Sequence, residues 1–254
     1  MEGTSVPDPR DAWIRVGLLI PSSNTVMEVD FYRGLPSDLT LHTSRMYMES
    51  TTPEGEAIML DRHTLPAARD VGTAKPDVVV FGCTSAGALR GNDYEGDLCR
   101  RIEEESGAPV ISVISSVRRA IRERSVARIG VLTPYVDSLN AKIKTSLEAD
   151  GVEVVAMRGL GITENFAIAE MEPGHIAAVA AETFEDVDLD LVFVSCTNLR
   201  AMDAIALIEQ RLEIPVLTSN QTALEATLTA IGRGSGAGLA APSTLTRSAT
   251  APGA

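Results

Sequence analysis

Apolar residues along the chain fall into eight short runs rich in β-branched side chains, each closed by small or turn-forming residues. They lie at 14–20 (IRVGLLI), 39–47, 77–82 (DVVVFG), 109–113 (PVISV), 127–132 (ARIGVL), 152–156 (VEVVA), 190–195 (DLVFVS) and 214–218 (IPVLT). Runs this short and continuously apolar predict strands of a parallel sheet buried on both faces. Between them the spacing becomes helical. In VDSLNAKIKTSLEADG, Val136, Leu139, Ile143 and Leu147 share one face, and Gly151 fits the stop. In PGHIAAVAAETF, Pro173 sits near the start, and Ile176, Val179, Ala180 and Phe184 line up. The stretch 201–212 repeats the pattern with Ile205, Ile208 and Leu212. Strands alternating with helices predict an α/β fold.

The pattern also repeats itself. Gly17 and Gly130, Pro21 and Pro134, and Cys83 and Cys196 all stand 113 positions apart. RVGLLIPSSN answers RIGVLTPYVD, and PDVVVFGCTS answers LDLVFVSCTN; APVISV and IPVLTS match at the shorter offset of 106. Strand patterns alone do not place three landmarks on one offset, so the repeat predicts duplicated structural units. The expected organisation is two pseudo-symmetric subdomains, each a mostly parallel sheet flanked by helices, with the site in the crevice between them. Residues 13–118, with a returning C-terminal segment, form the first subdomain and 119–232 the second. The ends lack any period: 1–12 is Pro- and charge-bearing, and 233–254 (RGSGAGLAAPSTLTRSATAPGA) is a Gly/Ala/Ser/Thr/Pro tail. Both are expected to be disordered.

Composition narrows the function. A formal charge of −13 with 4% aromatic residues argues against nucleic acid, which favours basic patches and stacking rings, and against anionic lipid. No apolar stretch reaches membrane-span length, and Asp8 and Asp11 interrupt the N-terminus, against a signal peptide. With only three cysteines, a reducing, cytoplasmic location is the expectation. The cysteines lack C-x-x-C spacing and the three histidines (His42, His63, His175) are scattered, so no metal site is expected. PSSNT follows the first strand where a glycine-rich dinucleotide or phosphate loop would stand, so no cofactor is expected either.

Two of the three cysteines, Cys83 and Cys196, occupy matched positions in VVFGCTS and VFVSCTN, at the carboxyl ends of strands, where open α/β sheets bind ligands. Each is expected to precede a helix start, where free N–H groups and the helix dipole ease loss of the thiol proton. Duplication would set the two thiols on opposite sides of one small molecule. One sulfur can then attack or deprotonate on one face while the other moves a proton on the opposite face. Cys99, on a charged helical stretch, reads as a small buried side chain. Around the thiols, Thr84, Ser85, Thr197 and Asn198, and the segment from Pro21 to Thr25, offer donors for carboxylate oxygens. Asn24 reads equally as a turn residue and as a ligand, and Tyr135 equally as packing and as a ligand. Arg45 and Arg200 read first as surface or structural partners.

PSSNTVMEVD after the first strand, then FGCTSAG, TPYVDSLN and SCTNLRAMD, resemble the maleate cis-trans isomerase branch of the aspartate/glutamate racemase superfamily, over roughly residues 14 to 232. The resemblance implies two similar α/β subdomains and a homodimer. It implies that Cys83 adds as a thiolate to an alkene carbon of maleate, giving a succinyl-cysteine adduct that rotates. Cys196 acts as the opposing acid/base, and elimination yields fumarate. It places substrate contacts at Asn24, Thr84, Ser85, Tyr135, Asn165 and Thr197. Asn165, in GITENFAIAE, belongs to a loop over the crevice, and its counterpart at the 113 offset is Thr52 in STTPEGEA, a second lid. Arylmalonate decarboxylases share this branch but resemble it with one cysteine. Amino-acid and hydantoin racemases use the same two thiols; the amino-acid racemases must also hold an ammonium group, for which no acidic residue in these motifs is clearly placed, Glu28 and Asp30 being the ones that could be argued. Relatives also stand beside pathways such as ectoine use, with other small acids as substrates.

Overall fold

Each half of the chain builds the same four-stranded parallel sheet. In the computed structural model, which describes residues 13–233, the strands are β1 (Ile14–Pro21), β2 (Leu39–Met46), β3 (Val78–Phe81) and β4 (Val110–Ser112), then β5 (Arg128–Thr133), β6 (Glu153–Gly159), β7 (Leu191–Val194) and β8 (Val216–Thr218). Their orders are β2-β1-β3-β4 and β6-β5-β7-β8, with every pairing parallel. The disorder expected of 1–12 and of the C-terminal tail lies outside the described residues, except at Arg233. That residue continues from the last helix, its N–H donating to the Leu228 carbonyl at 2.8 Å and its guanidinium pairing with Asp38.

The repeat holds at the level of single bonds. The Asp77 carboxylate accepts the Arg15 N–H at 2.7 Å, and Asp190 accepts that of Arg128 at 2.8 Å. Gly82 N–H donates to Leu19 O at 2.7 Å, and Ser195 N–H to Leu132 O at 2.8 Å. All these partners stand 113 positions apart. Gly17 and Gly130 occupy the same place in β1 and β5 for one physical reason. A Cβ on Gly17 would meet Val79 at 3.0 Å and Val71 at 3.1 Å; on Gly130 it would meet Leu189 at 2.7 Å and Phe184 at 2.9 Å. Side chains of the covering helix and of the neighbouring strand or its lead-in already fill that space.

Helices cover both faces: α1 (Met27–Gly34), α2 (Pro53–Ile58), α3 (Thr64–Gly72), α4 (Thr84–Ala88), α5 (Asn92–Ser106), α6 (Val113–Glu123), α7 (Asp137–Glu148), α8 (Asn165–Ala169), α9 (Pro173–Phe184), α10 (Ala201–Leu212) and α11 (Ser219–Ala230), with a single π-helical turn at Met59–His63 joining α2 to α3. The helical patterns of the sequence bury the faces they specify: Leu139, Ile143 and Leu147 on α7, and Ile176, Ala180 and Phe184 on α9.

Two helices tie the halves together. α11 follows the second sheet but packs on the first: Ala223, Leu224 and Leu228 share a buried cluster with Val16, Leu18, Ile20, Val78 and Val80. α6 follows the first sheet and reaches the second half, where Arg118 makes two 2.8 Å bonds to Asp150 beyond α7. The boundary expected at 118/119 therefore falls inside a helix. α6 and α11 also pack on each other, Arg124 at the end of α6 pairing with Glu225 of α11 at 3.8 Å, so the two links between the sheets brace one another. Among the described residues no helix is long and apolar enough to cross a membrane.

Candidate active site

Cys83 leaves β3 in an extended conformation and caps α4. The close approach behind it is made possible by Gly82, where a Cβ would lie 2.8 Å from both Ile20 and Met27. Cys196 leaves β7 at the matched position but differs in two ways. No helix follows it directly; residues 197–200 turn before α10 begins at Ala201, which corrects the expected helix start. Its φ is +107°, a region that favours glycine. The strained backbone is held by its own N–H, which donates to Ser219 Oγ at 3.1 Å, and by the sulfur, which accepts the Asn198 N–H at 3.3 Å. Both cysteines are free and buried; Cys99 is free, half-buried and distant in the fold, on α5.

The thiols do not behave as their positions on strand ends suggested. Burial pushes Cys83 well above the ordinary thiol value, and the charge of nearby Glu56 and then of Cys196 adds to it, while the Ala86 N–H and Ser85 pull the other way. Burial likewise pushes Cys196 up to about 11, against hydrogen bonds from the Tyr135 hydroxyl and the Asn198 N–H. The expected ease of proton loss is overturned. α4 has only five residues, and the backbone N–H groups it offers do not offset removal from water. Tyr135 is buried against the same pair; burial first, then Cys196 and Cys83, raise its phenol well above the usual range. Two sulfurs and one phenol are thus close enough to perturb one another.

The remaining residues named from the sequence form a bonded frame across the crevice. Asn24 accepts the N–H groups of Val26 (3.1 Å) and Met27 (3.0 Å), opening α1, and donates across to Thr197 Oγ1 at 3.0 Å. Thr197 donates to Gly82 O at 3.0 Å, beside Cys83. Thr84 donates to Ser219 Oγ at 2.9 Å, so one hydroxyl joins the Cys83 turn to the Cys196 backbone. Asn165 donates to Ser23 Oγ at 2.9 Å and accepts from Thr51 Oγ1 at 3.4 Å, while its carbonyl accepts from Asn198 at 2.6 Å. The two lids meet directly: Thr51 N–H donates to Thr163 O at 2.7 Å. Arg45 holds the carbonyls of Ser22 and Asn24 (3.0 and 2.8 Å) and pairs with Glu28, and Arg200 pairs with Glu172 and Asp203.

Sequence reasoning missed Glu56. It lies on α2 in the first lid, fully buried, and Ser85 of the Cys83 turn donates to its Oε1. Its Oε2 has no partner among the described residues. Burial pushes this carboxyl up to about 8, the Ser85 bond opposing. Glu28 and Asp30, the acids named from the sequence, are otherwise engaged: Glu28 with Arg45, and Asp30, buried on α1, with Asn220 at 2.7 Å. Nothing in PEGE announces which glutamate turns inward, because a six-residue helix is too short to show a period. Ser219 was missed as well; its signal was its place in IPVLTS, at the end of a repeated strand.

A family model described as arylmalonate decarboxylase matches residues 16–241, nearly the whole chain. The chain belongs to that family. Relatives within it include a maleate isomerase of Pseudomonas putida, 29% identical over 218 residues (81% of this chain, 86% of the relative). An arylmalonate decarboxylase of Bordetella bronchiseptica is 28% identical over 206 residues (81% and 85%). The crystal structure of a Pseudomonas putida maleate isomerase superposes with a TM-score of 0.81 at 28% identity, over 86% of this chain and 93% of that one. The family membership places the chain in the maleate isomerase and arylmalonate decarboxylase branch of the aspartate/glutamate racemase superfamily, as a maleate isomerase-like enzyme.

Proposed function

We propose that the protein is a cofactor-independent cis-trans isomerase of a small unsaturated dicarboxylate, maleate to fumarate being the reaction that fits best. The observation that carries this reading is the buried pair of thiols at equivalent strand ends, with Tyr135 bonded to one of them. The resemblance to arylmalonate decarboxylases involves one thiol only, so the pair favours the isomerase.

In this reading Cys83 loses its proton to solvent before the lids close, and its thiolate adds to one alkene carbon. A C–S bond forms as the π electrons move toward the conjugated carboxylate. Cys196 gives its proton to the neighbouring carbon, leaving a succinyl-cysteine whose former double bond is now single and free to rotate. Cys196 then takes a proton back, the C–S bond breaks, and fumarate leaves with Cys83 again a thiolate. The proton balance on Cys196 is zero. Charge spreading into the carboxylate is stabilised by the backbone N–H groups of Thr84, Ser85 and Thr197, whose hydroxyls are given to Ser219, Glu56 and Gly82 O, and the Tyr135 phenol bonded to Cys196 completes the site. Asn24 and Asn165 take part as well. Each side-chain amide has two N–H donors, one of them given to Thr197 or to Ser23, which leaves the other for substrate. The homodimer and the cytoplasmic setting belong to this same reading.

A second reading, an amino-acid racemase, draws on Glu56, a buried carboxyl of the kind needed to hold an ammonium group. Proton NMR separates the two. Fumarate appearing from maleate, lost in Cys83→Ala and Cys196→Ala, supports the isomerase, as does a succinyl adduct on the Cys83 peptide in Cys196→Ala. Deuterium exchange into aspartate or glutamate, with no fumarate, supports the racemase. Full turnover in both alanine variants would end any thiol mechanism.

A further inference from the structure

Glu56 stands out because nothing in the proposed reaction uses it. A carboxyl beside two thiols and a phenol, in a site proposed to take a dianion, opposes its own substrate if it is charged. Among the described residues no cation is placed to compensate. Arg45 is committed to Glu28 and the Ser22–Asn24 loop, Arg90 to Asp61 on the outer surface, and Arg200 to Glu172 and Asp203. A buried carboxyl without a cation keeps its proton. Its two oxygens are then inequivalent. Oε1 accepts the Ser85 hydroxyl, which leaves Oε2 to carry the hydrogen, with no group among the described residues to receive it. A buried donor lacking an acceptor costs about 1–3 kcal/mol, which a ligand supplying the acceptor would recover.

We propose that Glu56 is a substrate-binding residue that acts in its protonated form, donating from Oε2 to one carboxylate of the dicarboxylate held between Cys83 and Cys196. This inference rests on the isomerase reading and names how the second carboxylate is accepted in a site without arginine. A protonated acid serves where an arginine would otherwise stand, and it does so only while it keeps its proton. It also selects: a ligand with an acceptor at that end is bound, and one with an ammonium there meets a donor instead.

The groups facing Glu56 are few. From the neighbouring strand ends come Cys83, Cys196 and Tyr135, all of which burial pushes up, Cys196 to about 11. From α4 come no charged side chains. From the π-helical turn come Asp61, paired with Arg90, Arg62, and His63, which packs edge-on against Tyr47. His63→Gln is therefore the control that separates the histidine from the carboxyl.

The test is calorimetric binding of succinate, which is fully ionised above about pH 7 and lacks the alkene needed for addition. In the wild type the dissociation constant should rise about tenfold per pH unit above the Glu56 value, with one proton taken up per succinate bound. Glu56→Gln, whose amide donates without titrating, should flatten the profile; His63→Gln should not. Thermal unfolding confirms that each variant is folded. A flat wild-type profile overturns the inference, as does a slope that survives in Glu56→Gln, or no succinate binding at all. Preference for β-alanine over succinate, strengthening as pH rises, also overturns it and assigns an ionised Glu56 to an ammonium group. Maleate turnover with a flat profile would sink this inference alone. The expected profile without maleate turnover would sink the isomerase reading and leave the role of Glu56 standing.

Discussion

Replacing Glu56 by glutamine should change how stability depends on pH, independently of any substrate. Folding moves this carboxyl from about 4.5 to about 8. Between those values the folded state binds the proton that the unfolded state releases, so stability falls as pH rises through the window. The full effect is about 3.5 units at 1.36 kcal/mol each, close to 5 kcal/mol, of which about 4 kcal/mol lies between pH 5 and pH 9. That is a large part of the 5–15 kcal/mol typical of a folded domain. Asp30 contributes a second loss of the same sign at lower pH, since burial raises it from 3.8 to about 6 against its Asn220 bond. It is present in both proteins and cancels in their difference. Urea unfolding of wild type and Glu56→Gln at about pH 5 and about pH 9 therefore yields a double difference. The variant should gain roughly 4 kcal/mol relative to wild type on going to the higher pH, with the denaturant slope unchanged. A gap between the two proteins that is the same at both pH values would refute the reasoning, because the buried carboxyl would then be solvated or paired with a cation.

Three further outcomes follow from the same contacts. Ser219→Ala removes the acceptor of the Cys196 N–H and the partner of Thr84, and should cost about 1–3 kcal/mol in urea unfolding, with slower turnover because the thiol turn loosens. Tyr135→Phe removes a hydrogen bond that lowers Cys196, so iodoacetamide labelling of the Cys196 peptide at alkaline pH should slow; faster labelling would contradict the assigned donor. Gly130→Ala should destabilise by about 1–3 kcal/mol, and more than Gly17→Ala, since its added methyl meets Leu189 at 2.7 Å against 3.0 Å for the nearest atom to Gly17.

The strands and the repeat were legible because a buried parallel strand leaves a continuous apolar run, and because a duplicated close contact needs glycine twice. Gly17 and Gly130, and the matched Asp77 and Asp190, show that the 113 offset records geometry rather than composition. Asn165 was named only through the family resemblance and Thr52 from it through the offset; the bond between Thr51 and Thr163 was not legible in either. The thiol electrostatics were not legible. Position at a strand end says where N–H groups point, but the balance against burial depends on how tightly the lids close, which is a property of the packed whole. Glu56 was hidden for a related reason: charge in a sequence reads as surface, and only contact with Ser85 shows it turned inward.

The two halves are alike in topology and unlike at the chemistry, and the difference has a physical origin. Cys83 caps a helix with ordinary backbone angles, whereas Cys196 occupies a left-handed region that its neighbours hold against strain. The Asn198 N–H and the Tyr135 hydroxyl reach the Cys196 sulfur, whereas Cys83 is met by the Ala86 N–H and Ser85. Equivalent positions thereby become inequivalent thiols. In a two-thiol isomerisation one sulfur must bond to carbon while the other carries only a proton. A duplicated fold with unbroken symmetry would not tell them apart, so the strained turn at Cys196 is where the division of labour is built. Cys196→Ser tests this directly. A serine hydroxyl can accept the Asn198 N–H but supplies no base at neutral pH, so with solvent replacing the Cys196 proton the adduct on Cys83 should still form, while the deprotonation that releases fumarate slows by orders of magnitude. Loss of both steps together would show that solvent cannot replace the Cys196 proton in the first addition.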